Sequence, residues 1–534
     1  MLTTPLHVLA NTASEKPDAL AFKVPIIDPE TDQIADWKSI TYSEFASDVL
    51  RLATEWLRVF RRDGIPQGAV VAICLGGYEY LDAVHVFSIQ RAGYVPHTFS
   101  RLPGIEVIKD LLKESHTKAL VRSSQFKDIL ASVQDIPVYD PSTSLASGDV
   151  ESTPKLPPLG RPTNPNDLSI IAHTSGSTSG RPKLVRATHR WINGVIQKAH
   201  IPRPPGSSSG PATANWMGNV CHSAQYVTTV GQILRGRCTV QARKPGDLDE
   251  IIDQLKRASL TQLYLFSPFI VKLLQRARSD PDLLALLSGL ECIFATGAVF
   301  PKSEEAYVVQ NNINVVGLFG STETSLNLMT SGTRNDPTGV FHVVDLPGVS
   351  YQFDPISPEA RGQPQLLELV VRSDSMDCPG PELCRADDGH FHTGDLWEKV
   401  ERGYLYRGRD DDWIKTESAL RCDTKAIEQH VRLTCGDLIS ECVVVGYGRP
   451  SPALFIEPSP RAIDVSEGDL KRLVLERIES FNSQRIAHER IVSANLVVVV
   501  PRDTLPRTET KGNVRRKAVE DMFERELDLI YGGL

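Results

Sequence analysis

No run of apolar residues in this 534-residue chain is long enough to cross a bilayer. The opening stretch, MLTTPLHVLANTASEKPDAL, lacks the basic start and continuous apolar core of a secretory leader. Basic excess is missing too. The formal net charge of -8 speaks against a general nucleic-acid binder, whose affinity rests on a basic surface. The nine cysteines include no CxxC pair and no regular spacing, which disfavours a cysteine-ligated metal. They read as reduced thiols filling the core of a cytoplasmic protein. There is no internal repeat.

What remains is ordinary globular composition, 41% hydrophobic and 23% charged. The length exceeds one ordinary core, so two or more domains are expected. Ser152 to Asp167 is rich in proline and turn formers and reads as a connector, and Pro202 to Ala212 as a second loop. Between Leu168 and Gly320, short apolar runs (LSIIAHT, LTQLYLFSP, LECIFATG, INVVGLFG) alternate with helical patterns. One of these carries Leu248, Ile251, Ile252 and Leu255 at offsets of three and four. Strand, helix and strand in series predict an α/β fold of parallel sheets covered by helices. Ligands in such sheets bind beyond the carboxyl ends of strands. Three glycine-bearing segments fall there: after Ala172, at ATGAV and at FGSTE. A smaller α+β unit begins near YRGRDDDWIK, so the expected division is residues 1–408 and 409–534. The chain finishes with a charged helical pattern, NVRRKAVEDMFERELDLIY.

The stretch HTSGSTSGRPKLV, His173 to Val185, has the chemistry of a phosphate loop. Backbone N–H groups unshielded by large side chains can turn toward an anion, hydroxyls can donate, and Lys183 supplies a point charge. It is not a Walker loop, because only three residues separate Gly176 from Gly180. A solvated Ser/Gly loop is the alternative.

Its companions extend the pattern. GLFGSTETS, FHTGDLW, YRGRDDDWIK and LPRTETKGNVRRKA follow in this order. Together the five segments resemble the core motifs of the adenylate-forming superfamily, which comprises acyl-CoA synthetases, luciferases and adenylation domains of peptide synthetases. ITYSEFASDVLRLATEWL and GAVVAICLGGYEYLDAVHVFSIQRAGYVPHTF look like that family's first subdomain. SGSTSGRPKLV and DDDWIKTESALRCDTKAIE look most like the adenylation domains of fungal adenylate-forming reductases.

The resemblance implies that ATP and a carboxylic acid give an acyl adenylate and pyrophosphate, with Mg²⁺, before the acyl group passes to a thiol of CoA or phosphopantetheine. Positioning and positive charge would carry such a step. It assigns Thr174, Ser175, Gly176, Ser177, Thr178 and Lys183 to the β- and γ-phosphates, and Gly320, Ser321 and Thr322 to the α-phosphate side. Glu323 would hold Mg²⁺, the other reading being a carboxylate at a helix start. Asp395 would accept both ribose hydroxyls, unless it is merely a turn residue, and Arg409 would support the ribose and phosphates. Lys511 would contact the carboxylate and α-phosphate in the first step. The small domain would be a mobile lid turning about Asp411, with Lys415 serving the thiol step. His222, Gly297, Ala298 and Phe319 would line the acyl pocket. A run of cations around Lys511 and a solvated acidic turn at Asp411 are the plainer alternatives.

Three departures stand out. The first loop is one residue longer than the common form. Ser418 replaces a glycine that admits the pantetheine arm, which puts transfer to free CoA in doubt. TETKG has one residue more than TGKG. No acid occurs in VCHSAQ, where amino-acid-activating relatives carry an aspartate. A carboxylic acid without an α-amino group, aryl or aliphatic, is therefore expected. The expected partners are that acid and a carrier protein, with no nucleic acid and no membrane. The chain ends at Leu534 without a carrier or reductase motif, so it reads as an excised domain or a free-standing enzyme. A CoA ligase, an amide-forming ligase and a nucleotide-binding pseudoenzyme are the other readings.

Overall fold

Strand Leu168–His173 ends at the phosphate-loop motif and has parallel and antiparallel neighbours on its two sides. In the computed structural model, which describes residues 2–99, 104–141, 154–174, 182–199, 201, 212–244, 246–297, 300–356, 365–410, 413–417, 420–462, 464–507 and 514–532, it belongs to a six-stranded sheet. That sheet also holds Val70–Cys74, Val95–Thr98, Ala119–Arg122 and Val138–Tyr139, all parallel, with Leu184–Thr188 antiparallel at the edge.

A second sheet has thirteen strands. Gln262–Phe266, Cys292–Thr296 and Val315–Ser321 are parallel neighbours with helices between them, as the alternation predicts. Beyond Ser321 the sheet becomes antiparallel through Ser325–Thr330, Phe341–Val343, Gly403–Arg409, Phe391–Val400, Leu366–Val371 and Tyr351–Pro355. The first connection there, residues 322–324, is too short for a crossover, so the chain must turn straight back. The expectation of parallel sheets holds for the central strands before Ser321, with antiparallel strands Ile34–Thr41 and Leu184–Thr188 at two edges and the antiparallel run beyond Ser321 added to it.

Helices pack between the sheets. Tyr42–Arg62, with Glu44 and Thr41 forming a capping box, buries Phe45, Trp56 and Phe60 against Tyr80–Arg91. Beyond Ile414 a separate core forms from residues of that part of the chain alone. Its sheet is Ile439–Val445, Ala453–Pro458 and Val497–Val499, covered by Thr424–Cys435 and Glu467–Gln484. The terminal helical pattern is two helices, Arg516–Met522 and Glu524–Gly532. The break is at Phe523, whose ring packs 5.1 Å from that of Phe455 in the sheet. No described helix is long and apolar enough to cross a membrane.

Candidate active site

The phosphate-loop motif is pinned at its base. Thr174 N donates to Lys183 O at 2.9 Å, and Lys183 N donates to Thr174 Oγ1 at 3.0 Å. The Lys183 side chain is exposed, while Leu184 and Val185 return into the sheet. Ser175, Gly176, Ser177 and Thr178 lie outside the described residues. Below the clamp are two buried imidazoles that sequence reasoning passed over. His173 lies 5.3 Å from Phe99, and His97 4.5 Å from the same ring. Among the described residues neither nitrogen of His97 has a hydrogen-bond partner. Burial, reinforced by His173 and Arg186, holds His97 well below its ordinary value, so the ring is neutral.

The segment Gly320 to Thr324 is a tight turn between antiparallel strands. It is not the helix start weighed as the alternative for Glu323. Glycine at 320 is dictated by the reversal, since a Cβ there would lie 2.1 Å from Ser325 O. Ser325 itself takes a left-handed φ of 58°. Inside the turn the Ser321 and Thr324 hydroxyls meet at 3.1 Å, and Thr324 Oγ1 donates to Asn327 Oδ1 at 2.7 Å. Trp191 Nε1 donates to Glu323 O at 2.9 Å. Glu323 offers one carboxylate, and the described residues contain no cluster of three metal-ligating side chains. One carboxylate beside Thr322 fits a Mg²⁺ ion completed by phosphates and water, not an all-protein cage.

Asp395 lies within a strand and is 7% exposed, so it is more than a turn residue. Its Oδ1 accepts from the Tyr406 hydroxyl at 3.0 Å, and its Oδ2 is 3.6 Å from Arg409 Nη1. Phe319, which leads into the 320–324 turn, packs its ring 5.3 Å from Tyr406 and 4.7 Å from Trp397. The structure thus links Phe319 to Asp395 through Tyr406, the first residue of the YRGRDDDWIK motif, to which no role was assigned, and sets Arg409 directly beside Asp395. The backbone before Asp395 is also held. Glu368 Oε1 accepts from Gly394 N at 3.0 Å, and Glu368 Oε2 bonds His392 Nδ1 at 2.9 Å. His392 Nε2 reaches Asp388 at 2.8 Å. Burial alone would lower the His392 value, but bonds to the two carboxylates outweigh it and raise it.

A small cleft of about 20 Å³ lies between the two sheets. Ala172, Trp191, Cys221, Ser223, Tyr226 and Thr322 are part of its wall. Of the stretch VCHSAQ, expected around the pocket, Cys221 and Ser223 are in this wall. His222, however, caps the helix Ser223–Arg235, with its Nδ1 accepting from Ala224 N at 3.2 Å. Gly297 follows the strand Cys292–Thr296 at φ +77°, where a Cβ would lie 2.6 Å from the Phe266 ring. Lys415 is exposed on the short strand Trp413–Lys415. Ala298, Asp411, Ser418 and Lys511 lie outside the described residues.

Residues 9–349 match the family model described as AMP-binding enzyme, and residues 411–534 match that of the AMP-binding enzyme C-terminal domain. The chain belongs to the AMP-binding enzyme family. It is 32% identical over 521 residues to the AMP-binding domain-containing enzyme iboA of Amanita muscaria (strain Koide BX008), covering 94% of this chain and 98% of that one. It is 24% identical to the adenylate-forming reductase stbB of Stachybotrys bisbyi across 88% of this chain, but spans only 43% of that longer protein. Among solved structures, ATP-bound MatB from Rhodopseudomonas palustris shares the fold, with a TM-score of 0.72 and 19% identity, covering 98% of this chain and 99% of that one. This AMP-binding enzyme is accordingly an adenylate-forming ligase related to fungal adenylate-forming reductases.

Proposed function

We propose that this enzyme uses ATP to activate a carboxylic acid without an α-amino group, aryl or aliphatic, and then passes the acyl group to the thiol of carrier-protein phosphopantetheine. The acid's carboxylate oxygen attacks the α-phosphorus, the bond to pyrophosphate breaks, and an acyl adenylate forms. The observation that carries this reading is the position of Thr322. It belongs both to the turn bearing Glu323 and to the wall of the small cleft. An acid seated at that cleft would meet the α-phosphate at Thr322. The described residues lining the cleft include no charged side chain, which suits an acid with a neutral body.

In this reading Thr174 and Lys183 with the motif between them take the β- and γ-phosphates, and Asp395 takes the ribose hydroxyls. Arg409 lies beside that carboxylate. Glu323 holds Mg²⁺, which offsets phosphate charge when bound. Residues 409–534 form the lid, turning at Asp411 to present Lys511 for adenylation and Lys415 for transfer. Family membership and the relation to adenylate-forming reductases support this two-step scheme.

The test is pyrophosphate release with ATP and Mg²⁺ over a panel of aryl, aliphatic, keto and amino acids, with hydroxylamine trapping the adenylate. Turnover is expected with one class of non-amino acid. Subsequent loading of a phosphopantetheinylated carrier is expected to exceed transfer to CoA. Turnover confined to α-amino acids would overturn the pocket assignment, and preferential CoA thioester formation would overturn the acceptor.

A further inference from the structure

The helix His189–Lys198 grips two segments remote from it in sequence. One side meets residues 374–377 at every fourth position. Arg190 Nη2 donates to Asp374 O at 2.5 Å, Gly194 lies against Met376, and Lys198 Nζ donates to Asp377 Oδ2 at 2.6 Å. Glycine permits this approach, because a Cβ at 194 would stand 3.2 Å from Met376 Cβ and 3.6 Å from Asp377 N. The same helix holds the 322–324 turn. Trp191 Nε1 donates to Glu323 O and Lys198 Nζ to Thr324 O, both at 2.9 Å. Helical side chains lean toward the N-terminus, so Lys198 reaches back and two donors seven residues apart meet consecutive carbonyls.

The Lys198 and Asp377 side chains are 3% and 0% exposed. Tyr351 donates to Asp377 Oδ2 at 2.5 Å, Ser375 donates to Oδ1, and the Lys198 ammonium lies 5.7 Å from the Tyr351 ring centre. Burying such a pair gives little net stability over an apolar pair of similar volume. Stability alone is thus a poor account of it. What an apolar pair could not supply is the bond to Thr324 O, one residue beyond Glu323.

We propose that Lys198, locked by Asp377, is a positioning residue for adenylation, and that with Trp191 it fixes the backbone of the turn carrying Thr322 and Glu323. The inference rests on the assignment of those two residues to the α-phosphate and Mg²⁺. The turn needs external anchors because it hangs between Gly320 and the left-handed Ser325, and a shift of about 1 Å in such groups costs on the order of 10²-fold in rate.

The test is the double variant Lys198→Met/Asp377→Leu, which removes both charges and keeps the volume. It is expected to melt near the wild-type temperature. Amide hydrogen exchange across residues 320–326 of the ligand-free protein is expected to rise. The kcat of pyrophosphate release should fall about 10-fold or more, and the Mg²⁺ concentration for half-maximal rate should increase. A folded double variant with wild-type exchange in that turn would overturn the proposal, whatever its rate. So would raised exchange with an unchanged rate and Mg²⁺ midpoint. If the double variant does not fold, Trp191→Phe, which removes the indole donor along with part of the ring, takes its place with the same criteria. Glu323→Gln separates the two layers: a wild-type rate and Mg²⁺ midpoint in that variant would overturn the role of Glu323, while the exchange measurement still judges the anchor.

Discussion

Tyr406 donates its phenolic proton to Asp395 Oδ1 across 3.0 Å, from the strand beside it. If Asp395 accepts the ribose hydroxyls, this bond orients the carboxylate before ATP arrives. Tyr406→Phe is expected to raise the KM for ATP about 5-fold, the equivalent of one ordinary hydrogen bond, with little change in kcat. Asp395→Ala should weaken ATP binding further. Steady-state pyrophosphate release at varied ATP checks both.

Gly320→Ala places a methyl group 2.1 Å from Ser325 O, and neither backbone can yield without opening the turn. A loss of about 1–3 kcal/mol is expected, read as a lower denaturation midpoint. Adenylation should fall by more than the unfolded fraction explains, because Thr322 and Glu323 share that turn.

Lys511→Ala and Lys415→Ala should fail differently. The first is expected to slow adenylate formation roughly 10²-fold or more, with folding intact. The second should spare adenylation and slow acyl transfer. Single-turnover measurements of each half-reaction decide, and equal defects in both variants would exclude a division of labour.

Two histidines should give stability opposite slopes with pH. His97 is neutral when folded and takes a proton when unfolded below its ordinary 6.5. Its contribution is therefore present above pH 6.5 and lost as pH falls, so His97→Leu should soften the acid-side decline in melting temperature. His392 is raised above 6.5 by Glu368 and Asp388. Its contribution is present below pH 6.5 and lost as pH rises through the folded value. The melting gap between wild type and His392→Gln should be widest near pH 6 and narrow toward pH 9.

Much of the scaffold was legible because local pattern and tertiary environment agree. Of the stripe Leu248, Ile251, Ile252 and Leu255, the last three are buried and Leu248 is partly buried against the same core, and LSIIAH is a buried strand. The GSTE turn was visible as a motif but not as a hairpin. The need for Gly320 arises from Ser325 O, and that contact exists only once the chain has reversed. Lys198 was illegible for a different reason. At the end of an amphipathic helix a lysine reads as a solvated cation, and its partner lies 179 residues away. Tyr406 and Trp191 were hidden likewise, since an aromatic in a strand or helix signals core, and the atom that matters is one polar tip. The antiparallel half went unread because alternation in short strands gives no sense of direction.

The paired bonds between Thr174 and Lys183 close a ring of chain whose ends are nine positions apart. With the stem fixed by two hydrogen bonds and a strand register, the entropy of one more residue in the ring is about 0.1 kcal/mol. The extra residue at Gly180-Arg181 is thus nearly free in folding terms. The length and charge of the segment between Thr174 and Lys183 can change as an interchangeable cassette, and the strands that carry its stem need not be re-edited to receive it.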